Sequence, residues 1–340
     1  VIGGYDVGNN DADPLPQLPY LVAHGTCCAG IAAGSLGDVG DYIGGVAPGA
    51  KLYALKLTGD DGSWANDAGL RAWDWCITHQ NDDPANPIMV MSNSWGNFVF
   101  YQDHASADAF SPAYTQTAAL AVERGITILA ASGNEYQTQG IIWPAAMTNV
   151  ISVGAVYDTT DQVTPYSNTH EILDILAPAD PVYTTDVIGV DGYDPGDYYP
   201  YFNGTSSATP FAAGCVADIQ VAARTQLGRY LLPEEIRQLL VKTGDPVTDT
   251  KVAITKPRVN LGMAIAGIIP PKPIYVEKGA ILEGWNEVTE TWSADTFNML
   301  ADPLFYAGYY LSQVAAGQKE DSPAINVGSD TALAASMARR

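Results

Sequence analysis

Basic residues are scarce in this 340-residue sequence. Sixteen lysines and arginines stand against 38 aspartates and glutamates, so the net charge is −22 at pH 7. A surface of that sign repels the phosphate backbone of nucleic acids and the head groups of anionic lipids. We therefore expect no nucleic-acid partner and no attachment to an acidic membrane surface.

Long apolar runs are also missing. Those present, such as Ile126–Ala131, fall far short of the roughly 20 apolar residues that a membrane-spanning helix requires. The sequence therefore predicts no membrane span. It begins with Val1 rather than Met, without a charged segment followed by an apolar stretch, so we expect that any targeting segment has been removed or omitted.

The few cysteines fit neither a disulfide scaffold nor a zinc site. There are four, Cys27, Cys28, Cys76 and Cys215, and no two of them have the C-x-x-C spacing. The side chains of two adjacent cysteines cannot both point the same way. We therefore predict neither a cross-linked scaffold nor a zinc-binding cluster.

The remaining composition is that of a globular protein large enough for one α/β domain with an appendage, since 47% of its residues are hydrophobic. Buried-strand patterns alternate with helical ones. This alternation predicts a mostly parallel sheet with helices on both faces. The predicted strands are Lys51–Lys56, Ile88–Ser92, Ile126–Ala131 and Val150–Ala155, and the predicted helices are Trp64–His79, Ala113–Arg124, Ser206–Ala223 and Pro233–Thr243.

A proline-rich stretch marks the predicted domain boundary. Three prolines fall within residues 268–274, and such a composition stiffens the chain into an extended linker. We therefore assign residues 1–267 to one domain. Residues 275–340 form a C-terminal extension in which no motif indicates a role.

Four separated segments carry the chemistry. They are His24-Gly-Thr26, Ser94-Trp-Gly96, Ala131-Ser-Gly-Asn134 and Gly204-Thr-Ser-Ser-Ala-Thr-Pro210. Each alone is a weak signal, but their order, spacing and placement at strand ends or helix starts resemble the subtilisin family of serine peptidases over roughly residues 1–266. The resemblance implies a subtilisin-like fold, hydrolysis of peptide bonds in a polypeptide substrate, and a secreted or periplasmic location.

Ser206 is the candidate nucleophile. It stands where a loop becomes a helix, so its side chain lies beside free N–H groups that stabilise a developing oxyanion. A serine at a helix start, taken alone, is more often a capping residue. The other three motifs favour the nucleophile.

His24 is the candidate general base. A serine hydroxyl needs a neighbouring base, and histidine serves near neutral pH. His79, His104 and His170 have no matching motif, although a lone histidine is usually structural. The resemblance implies that His24 takes the proton from Ser206 and returns it to the leaving amine.

The resemblance also assigns the oxyanion hole and the substrate contacts. Asn134 is expected to complete the oxyanion hole, whereas a turn asparagine beside a glycine is the alternative interpretation. Two backbone segments are expected to flank the substrate and pair with it as added strands. Their residues are Ser94, Trp95, Gly96, Ala131, Ser132 and Gly133.

The triad aspartate is the part that the sequence does not supply. Asp6-Val-Gly8 superficially fits the family's Asp-Thr-Gly pattern, but it lies only 18 residues before His24 and no strand-forming run precedes it. Residues 5–16 resemble instead the stretch between the aspartate and the histidine in the kexin and furin branch. We therefore expect the domain to lack its N-terminal strand and the aspartate to lie upstream of Val1.

Three hypotheses account for this absence. The aspartate sits on a separate, non-covalently retained fragment; the sequence is incomplete; or the chain is a degenerate peptidase that binds without cutting. Because Ser206, His24 and Asn134 are all present, the first two are favoured over a silent binding or assembly subunit. An α/β-hydrolase esterase is disfavoured, since its histidine would follow its serine.

Calcium is the one cofactor that the resemblance suggests. In the kexin-like alignment Asp6, Asp11 and Asp13 match residues that hold a calcium ion, and closely spaced carboxylates suit a hard cation. A solvated acidic turn is the alternative. The chemistry itself needs no cofactor.

Specificity is predicted to be apolar rather than dibasic. The kexin branch cuts after basic residues by using acidic groups beside its pocket. Here residues 97–100 read Asn-Phe-Val-Phe, without an acid. Ala145 and Ala146 add to a neutral or apolar pocket.

Overall fold

The computed structural model describes residues 1–17, 23–37, 40, 42–65 and 67–268. The predicted linker beyond Ile268 and the extension 275–340 lie outside the described residues. The strands are β1 (Gly3–Asp6), β2 (Tyr53–Lys56), β3 (Val90–Asn93), β4 (Phe100–Tyr101), β5 (Thr127–Ala131), β6 (Ile141–Ile142), β7 (Ile151–Tyr157), β8 (Ile175–Asp180), β9 (Val182–Thr185), β10 (Tyr198–Phe202), β11 (Asp245–Asp249) and β12 (Ile254–Arg258). The helices are α1 (His24–Ala33), α2 (Ala68–Thr78), α3 (His104–Phe110), α4 (Pro112–Glu123), α5 (Thr205–Leu227), α6 (Pro233–Thr243) and α7 (Leu261–Gly267).

A six-stranded sheet with the order β11-β12-β8-β7-β5-β3 forms the centre. Strands β12, β8, β7, β5 and β3 are parallel, and β11 adds an antiparallel hairpin partner at one edge. The predicted α/β fold with a mostly parallel sheet is therefore confirmed. A separate parallel pair joins β1 to β2, and β9 with β10 forms an antiparallel hairpin.

The central strand β5 shows why the sheet is covered on both faces. All five of its residues are buried, as expected for a parallel strand between two helical layers. Leu129 belongs to the apolar cluster that contains α5, whereas Ile128 and Ala130 belong to the cluster that contains α2 and α4. This alternation follows from the two-residue period of a strand.

Helix α5 packs against the sheet through small side chains. Ala208, Ala212 and Val216 are fully buried in the cluster that they share with Val153 and Ile175. Burying each large aliphatic side chain of this cluster contributes roughly 1.5–3 kcal/mol. The packing therefore fixes the helix, and with it the residues at its N-terminus, relative to the ends of β3 and β5.

The carboxyl ends of parallel strands are where open α/β sheets carry their sites. Ser94 follows β3, Ser132 follows β5, and α5 begins beside both, because Ser94 and Asn134 hydrogen-bond to its first turn. Helix α1 packs against α5. Within the described residues, no helix has the length and apolarity required to traverse a membrane.

Candidate active site

The turn that presents Ser206 depends on Gly204. Its φ of +91° lies in the region that favours glycine, and the α-helix starts at the next residue. The N–H of Gly204 donates to the Tyr166 hydroxyl at 3.1 Å. Ser206 is the second helical residue, and its N–H has no acceptor in the described part of the chain, which leaves it available to a ligand.

A proline inside α5 ties Ser206 to its neighbours. In a helix the carbonyl of Ser206 would accept from the N–H of residue 210, but Pro210 has none. The Ser94 hydroxyl donates to this carbonyl at 2.9 Å, and the Cys28 thiol donates to it at 3.4 Å. The carbonyl of Ser206 thus connects the first turn of α5 to the segment after β3 and to α1.

The orientation of the Asn134 amide is set by two donors. Its Oδ1 accepts from the backbone N–H of Thr205 at 2.8 Å and from the Thr205 hydroxyl at 3.0 Å. The nitrogen of the amide, Nδ2, is therefore free to donate to a ligand, since Asn134 is exposed. Together with the N–H of Ser206 it gives two donors of the kind that stabilise a tetrahedral oxyanion.

His24 opens α1 and is held by packing. Its ring meets the edge of Phe202 with 5.5 Å between centroids, and burial lowers the pKa of the imidazole below its ordinary value of 6.5. A neutral ring at neutral pH is the form that a general base requires. Its Nδ1 lies 3.8 Å from the Cys28 sulfur, which itself contacts the carbonyl of Ser206, so Cys28 connects His24 to the first turn of α5.

Asp6 is bonded elsewhere. Its carboxylate is buried, with Oδ2 2.7 Å from the Lys56 ammonium and Oδ1 accepting from the N–H of Asn9 at 2.8 Å. Within the residues that the structure describes, no carboxylate hydrogen-bonds to His24. The partner that would orient the imidazole is therefore not among them.

Comparison with known proteins decides the family. The subtilase family model matches residues 4–262 of the chain. This chain belongs to the subtilase family. It is 30% identical to the serine protease AprX of Bacillus subtilis (strain 168) over 270 residues, which cover 73% of this chain and 58% of AprX. It is 29% identical to thermitase of Thermoactinomyces vulgaris over 265 residues, which cover 78% of this chain and 81% of thermitase.

A solved structure shows the same fold. The prenylagaramide maturation protease PagA superposes on this subtilase with a TM-score of 0.59 at 20% identity, covering 75% of this chain and 86% of PagA. The described part of the chain therefore has a subtilisin-like architecture. The chain spans 58% of the length of AprX.

The three aspartates proposed for calcium do not form a cluster in this subtilase. The backbones of Asp6 and Asp11 bond to each other, but their carboxylates are engaged separately. Asp11 accepts from the N–H of Asp13, and Asp13 accepts from Leu15 and Gln17. No group of three potential ligands is arranged for a metal ion within the described ranges. Calcium binding stays a prediction from the sequence.

The two segments expected to pair with substrate differ. Both backbone groups of Ser132 are already bonded, with the N–H donating to Val153 and the carbonyl accepting from Ile142. Those of Gly133 are bonded to Thr205 and Asn168. Residues 132–133 therefore use these backbone groups within the fold, and the contact expected between residues 131–133 and the substrate stays a prediction.

The segment Ser94–Gly96 differs in its backbone groups, and its pairing with the substrate stays a prediction. Within the described residues, its backbone N–H and carbonyl groups form no hydrogen bonds in loops or turns. The ring of Trp95 is held by a hydrogen bond, in which its Nε1 donates to Asn93 Oδ1 at 3.1 Å. This segment is therefore the edge on which an extended peptide can pair.

Two residues of the site escaped the sequence interpretation. Tyr166 bonds to the turn before Ser206, and Asn168 bonds to both sides of Asn134. They lie in the short stretch Tyr-Ser-Asn, which has the composition of an ordinary turn and carries no catalytic spacing. Only the folded arrangement reveals them.

Proposed function

We propose that this subtilase is a serine endopeptidase with Ser206 as nucleophile, His24 as general base, and Asn134 with the N–H of Ser206 as oxyanion hole. The observation that carries the proposal is the orientation of Asn134. Two hydrogen bonds from Thr205 hold its Oδ1, so that Nδ2 is preset as a donor beside the nucleophile. Preorganised donors of this kind account for much of the catalysis of acyl transfer.

The reaction follows from these positions. His24 takes the proton from the Ser206 hydroxyl as its oxygen bonds to the scissile carbonyl carbon, and the carbonyl oxygen becomes an oxyanion held by the two donors. Collapse of this intermediate breaks the C–N bond, and the imidazolium gives its proton to the leaving amine. Water then repeats the sequence on the acyl-enzyme, releasing the acid and restoring Ser206.

The triad carboxylate is proposed to come from upstream of Val1 or from a separate chain. Two observations support this. The carboxylate of Asp6 is bonded to Lys56, and the Nδ1 of His24 faces a thiol rather than an acid in the described part of the chain. The same two observations favour the second candidate, a catalytically silent subunit that binds a polypeptide on this fold.

The substrate is proposed to be a polypeptide with apolar side chains before the cut. Residues beyond the pairing edge support this preference, since Phe98 and Val99 are exposed and apolar. Trp64, also exposed, packs against Trp95 with 6.0 Å between ring centroids.

The proposed location of the protein is secreted or periplasmic. The proposal also includes proteolytic processing of the chain and a structural calcium ion.

Labelling with a fluorophosphonate probe tests the proposal. We expect the native protein to be labelled at Ser206 alone, as shown by mass mapping, and Ser206→Ala to remain unlabelled, because only an activated serine attacks the probe. Asp6→Asn serves as the control for the carboxylate and should leave the labelling rate unchanged. A folded native protein that is not labelled would leave the silent subunit as the function, and loss of labelling in Asp6→Asn would return Asp6 to the triad.

A further inference from the structure

Asn168 is fully buried, and all of its polar groups are used within one loop. Its N–H donates to the carbonyl of Gly133 at 3.0 Å, and its own carbonyl accepts from the Ser132 hydroxyl at 3.0 Å. Its Oδ1 accepts from the N–H groups of Glu135 at 3.1 Å and Gln137 at 2.9 Å. Its Nδ2 donates to the Ser132 carbonyl at 3.0 Å and to the Glu135 carboxylate at 2.6 Å.

These partners lie on both sides of Asn134, to which Asn168 itself does not hydrogen-bond. Residues 132 and 133 precede it, and residues 135 and 137 follow it. We propose that Asn168 is a positioning residue that fixes the Asn134 amide at the place where the oxyanion forms. The inference rests on the proposed function and assigns a further residue to the same site.

The loop needs such support because its backbone is strained. Gly133 has a φ of +103° and Tyr136 has a φ of +60°, so two of its residues lie in the left-handed region. A non-glycine residue stays there only when the surrounding structure determines its conformation. A Cβ on Gly133 would come within 2.3 Å of the Asn168 amide nitrogen, so the glycine also makes the close contact possible.

The same stretch supports the turn before Ser206. The Tyr166 hydroxyl accepts from the N–H of Gly204 at 3.1 Å and donates to Asp180 at 3.1 Å, and its carbonyl accepts from Tyr136. Burial raises the pKa of the Tyr166 phenol, so the hydroxyl keeps its proton at neutral pH. Residues 166–168 therefore connect the nucleophile's turn to the loop that carries the second oxyanion donor.

The ammonium group of Lys251 anchors this stretch in turn. The Lys251 Nζ donates to three backbone carbonyls, those of Thr164 at 3.2 Å, Pro165 at 3.0 Å and Ser167 at 2.6 Å. It also lies 3.4 Å from the Asp249 carboxylate. The conformation from which Asn168 projects is thus fixed independently of the loop that Asn168 holds.

A double-mutant cycle with Asn134 tests the positioning role in the full chain. Asn168→Ala should lower kcat about 10- to 100-fold with little change in KM, because misplacing an oxyanion donor weakens only the transition state. In the Asn134→Ala background the same change should lower kcat less than about 3-fold, because the group that it positions is absent. Rates are taken per active site, counted by completed fluorophosphonate labelling.

A conservative pair sharpens the test. Asn168→Asp replaces the donating Nδ2 by an oxygen that faces the Ser132 carbonyl and the Glu135 carboxylate, so kcat should fall as for alanine. Adding Glu135→Gln supplies a donor opposite the new carboxylate and should recover part of the loss. Gln220→Leu is the matched control. Like Asn168, Gln220 has a buried side-chain amide, but it lies on α5 and bonds to the backbone of Leu231.

The outcomes separate this inference from the proposed function. Equal losses of kcat from Asn168→Ala in both backgrounds would mean a merely structural role and would overturn the proposal. The side-chain amide resonance of Asn134, observed by NMR, gives a readout that needs no activity. It should shift or broaden in Asn168→Ala and not in Gln220→Leu. An unchanged resonance would overturn the positioning role even in a protein that is silent towards the probe.

Discussion

The two halves of the candidate site are held by different kinds of interaction. On the side proposed to hold the oxyanion, the groups are fixed by hydrogen bonds. The side chain of Asn134 accepts from the N–H of Thr205 at 2.8 Å, and the N–H of Gly204 donates to the Tyr166 hydroxyl at 3.1 Å. Next to Asn134, the N–H of Glu135 donates to Asn168 at 3.1 Å. On the side of His24, which opens α1, the N-cap residue is Ala23, and no side chain caps the helix. The imidazole rests on the ring of Phe202 and faces a thiol at 3.8 Å.

This difference separates the two tasks of a serine peptidase. Stabilising an oxyanion requires fixed dipoles, and the hydrogen bonds around Asn134 supply them within the described chain. Moving a proton requires an imidazole in one tautomer, which an acid behind Nδ1 normally enforces. Under the proposed function, the groups for the first task lie within the described residues, whereas no carboxylate for the second is bonded to His24 there.

His24→Ala is the change with the largest expected effect on this comparison. Removing a single triad member costs about 10⁶-fold in kcat in subtilisin, against about 10²–10³-fold for one oxyanion donor. We expect kcat for a peptide substrate to fall to the level of Ser206→Ala. His79→Ala is the matched control, because that ring stacks on Trp75 away from the site. A loss no larger than that of Asn134→Ala would show that His24 is not the base.

The pH dependence of kcat/KM measures what lies behind the imidazole. Burial lowers the pKa of His24 below 6.5, and the base must be neutral, so without a carboxylate partner the rate should fall at a midpoint below that pH. A carboxylate on Nδ1 would favour the imidazolium and raise the midpoint. A profile measured with and without a co-expressed upstream segment distinguishes the two. A midpoint unaffected by that segment would contradict the proposal that it supplies the acid.

The same shift has a consequence for stability. The pKa of His24 is lower in the folded state than in the unfolded chain, so protonation favours unfolding. The contribution of the neutral ring is therefore complete above about pH 6.5 and is lost as the pH falls through the folded-state value. Denaturant midpoints of the native protein and His24→Gln, compared across that range, should converge at acidic pH.

Much of the fold was predictable because its elements have strong local signals. Helix α6 spans Pro233–Thr243 as predicted, since proline opens it and glutamates occupy its first turn. The predicted strand Ile126–Ala131 corresponds to β5, which is apolar throughout. Strands β8 and β12 escaped prediction because Pro178 and Pro257 interrupt their patterns. Pairing with the neighbouring strands of the sheet overrides that local signal.

The residues of the candidate site were likewise predictable only in part. The motifs indicated Ser206, His24 and Asn134 because reactive residue types recur there beside glycines at helix starts and strand ends. Nothing in the sequence singles out Asn168, whose function depends on partners 31 to 36 residues away in the chain. Hydrogen-bond networks between separated loops leave no local pattern, so only the three-dimensional arrangement reveals them.

Cys28→Ser has the smallest expected effect. It tests the 3.8 Å contact between the Cys28 sulfur and His24 Nδ1. Burial raises the pKa of the Cys28 thiol to about 12, so it is neutral and forms no thiolate–imidazolium pair with His24. A serine hydroxyl can still donate to the Ser206 carbonyl, and kcat should change by less than about 3-fold because a thiol is a weak hydrogen-bonding group. Cys76→Ser, in the core of α2, controls for thiol loss alone. A loss of kcat as large as that of Asn168→Ala, with KM preserved, would instead make the thiol the functional partner of Nδ1 and the base side self-sufficient.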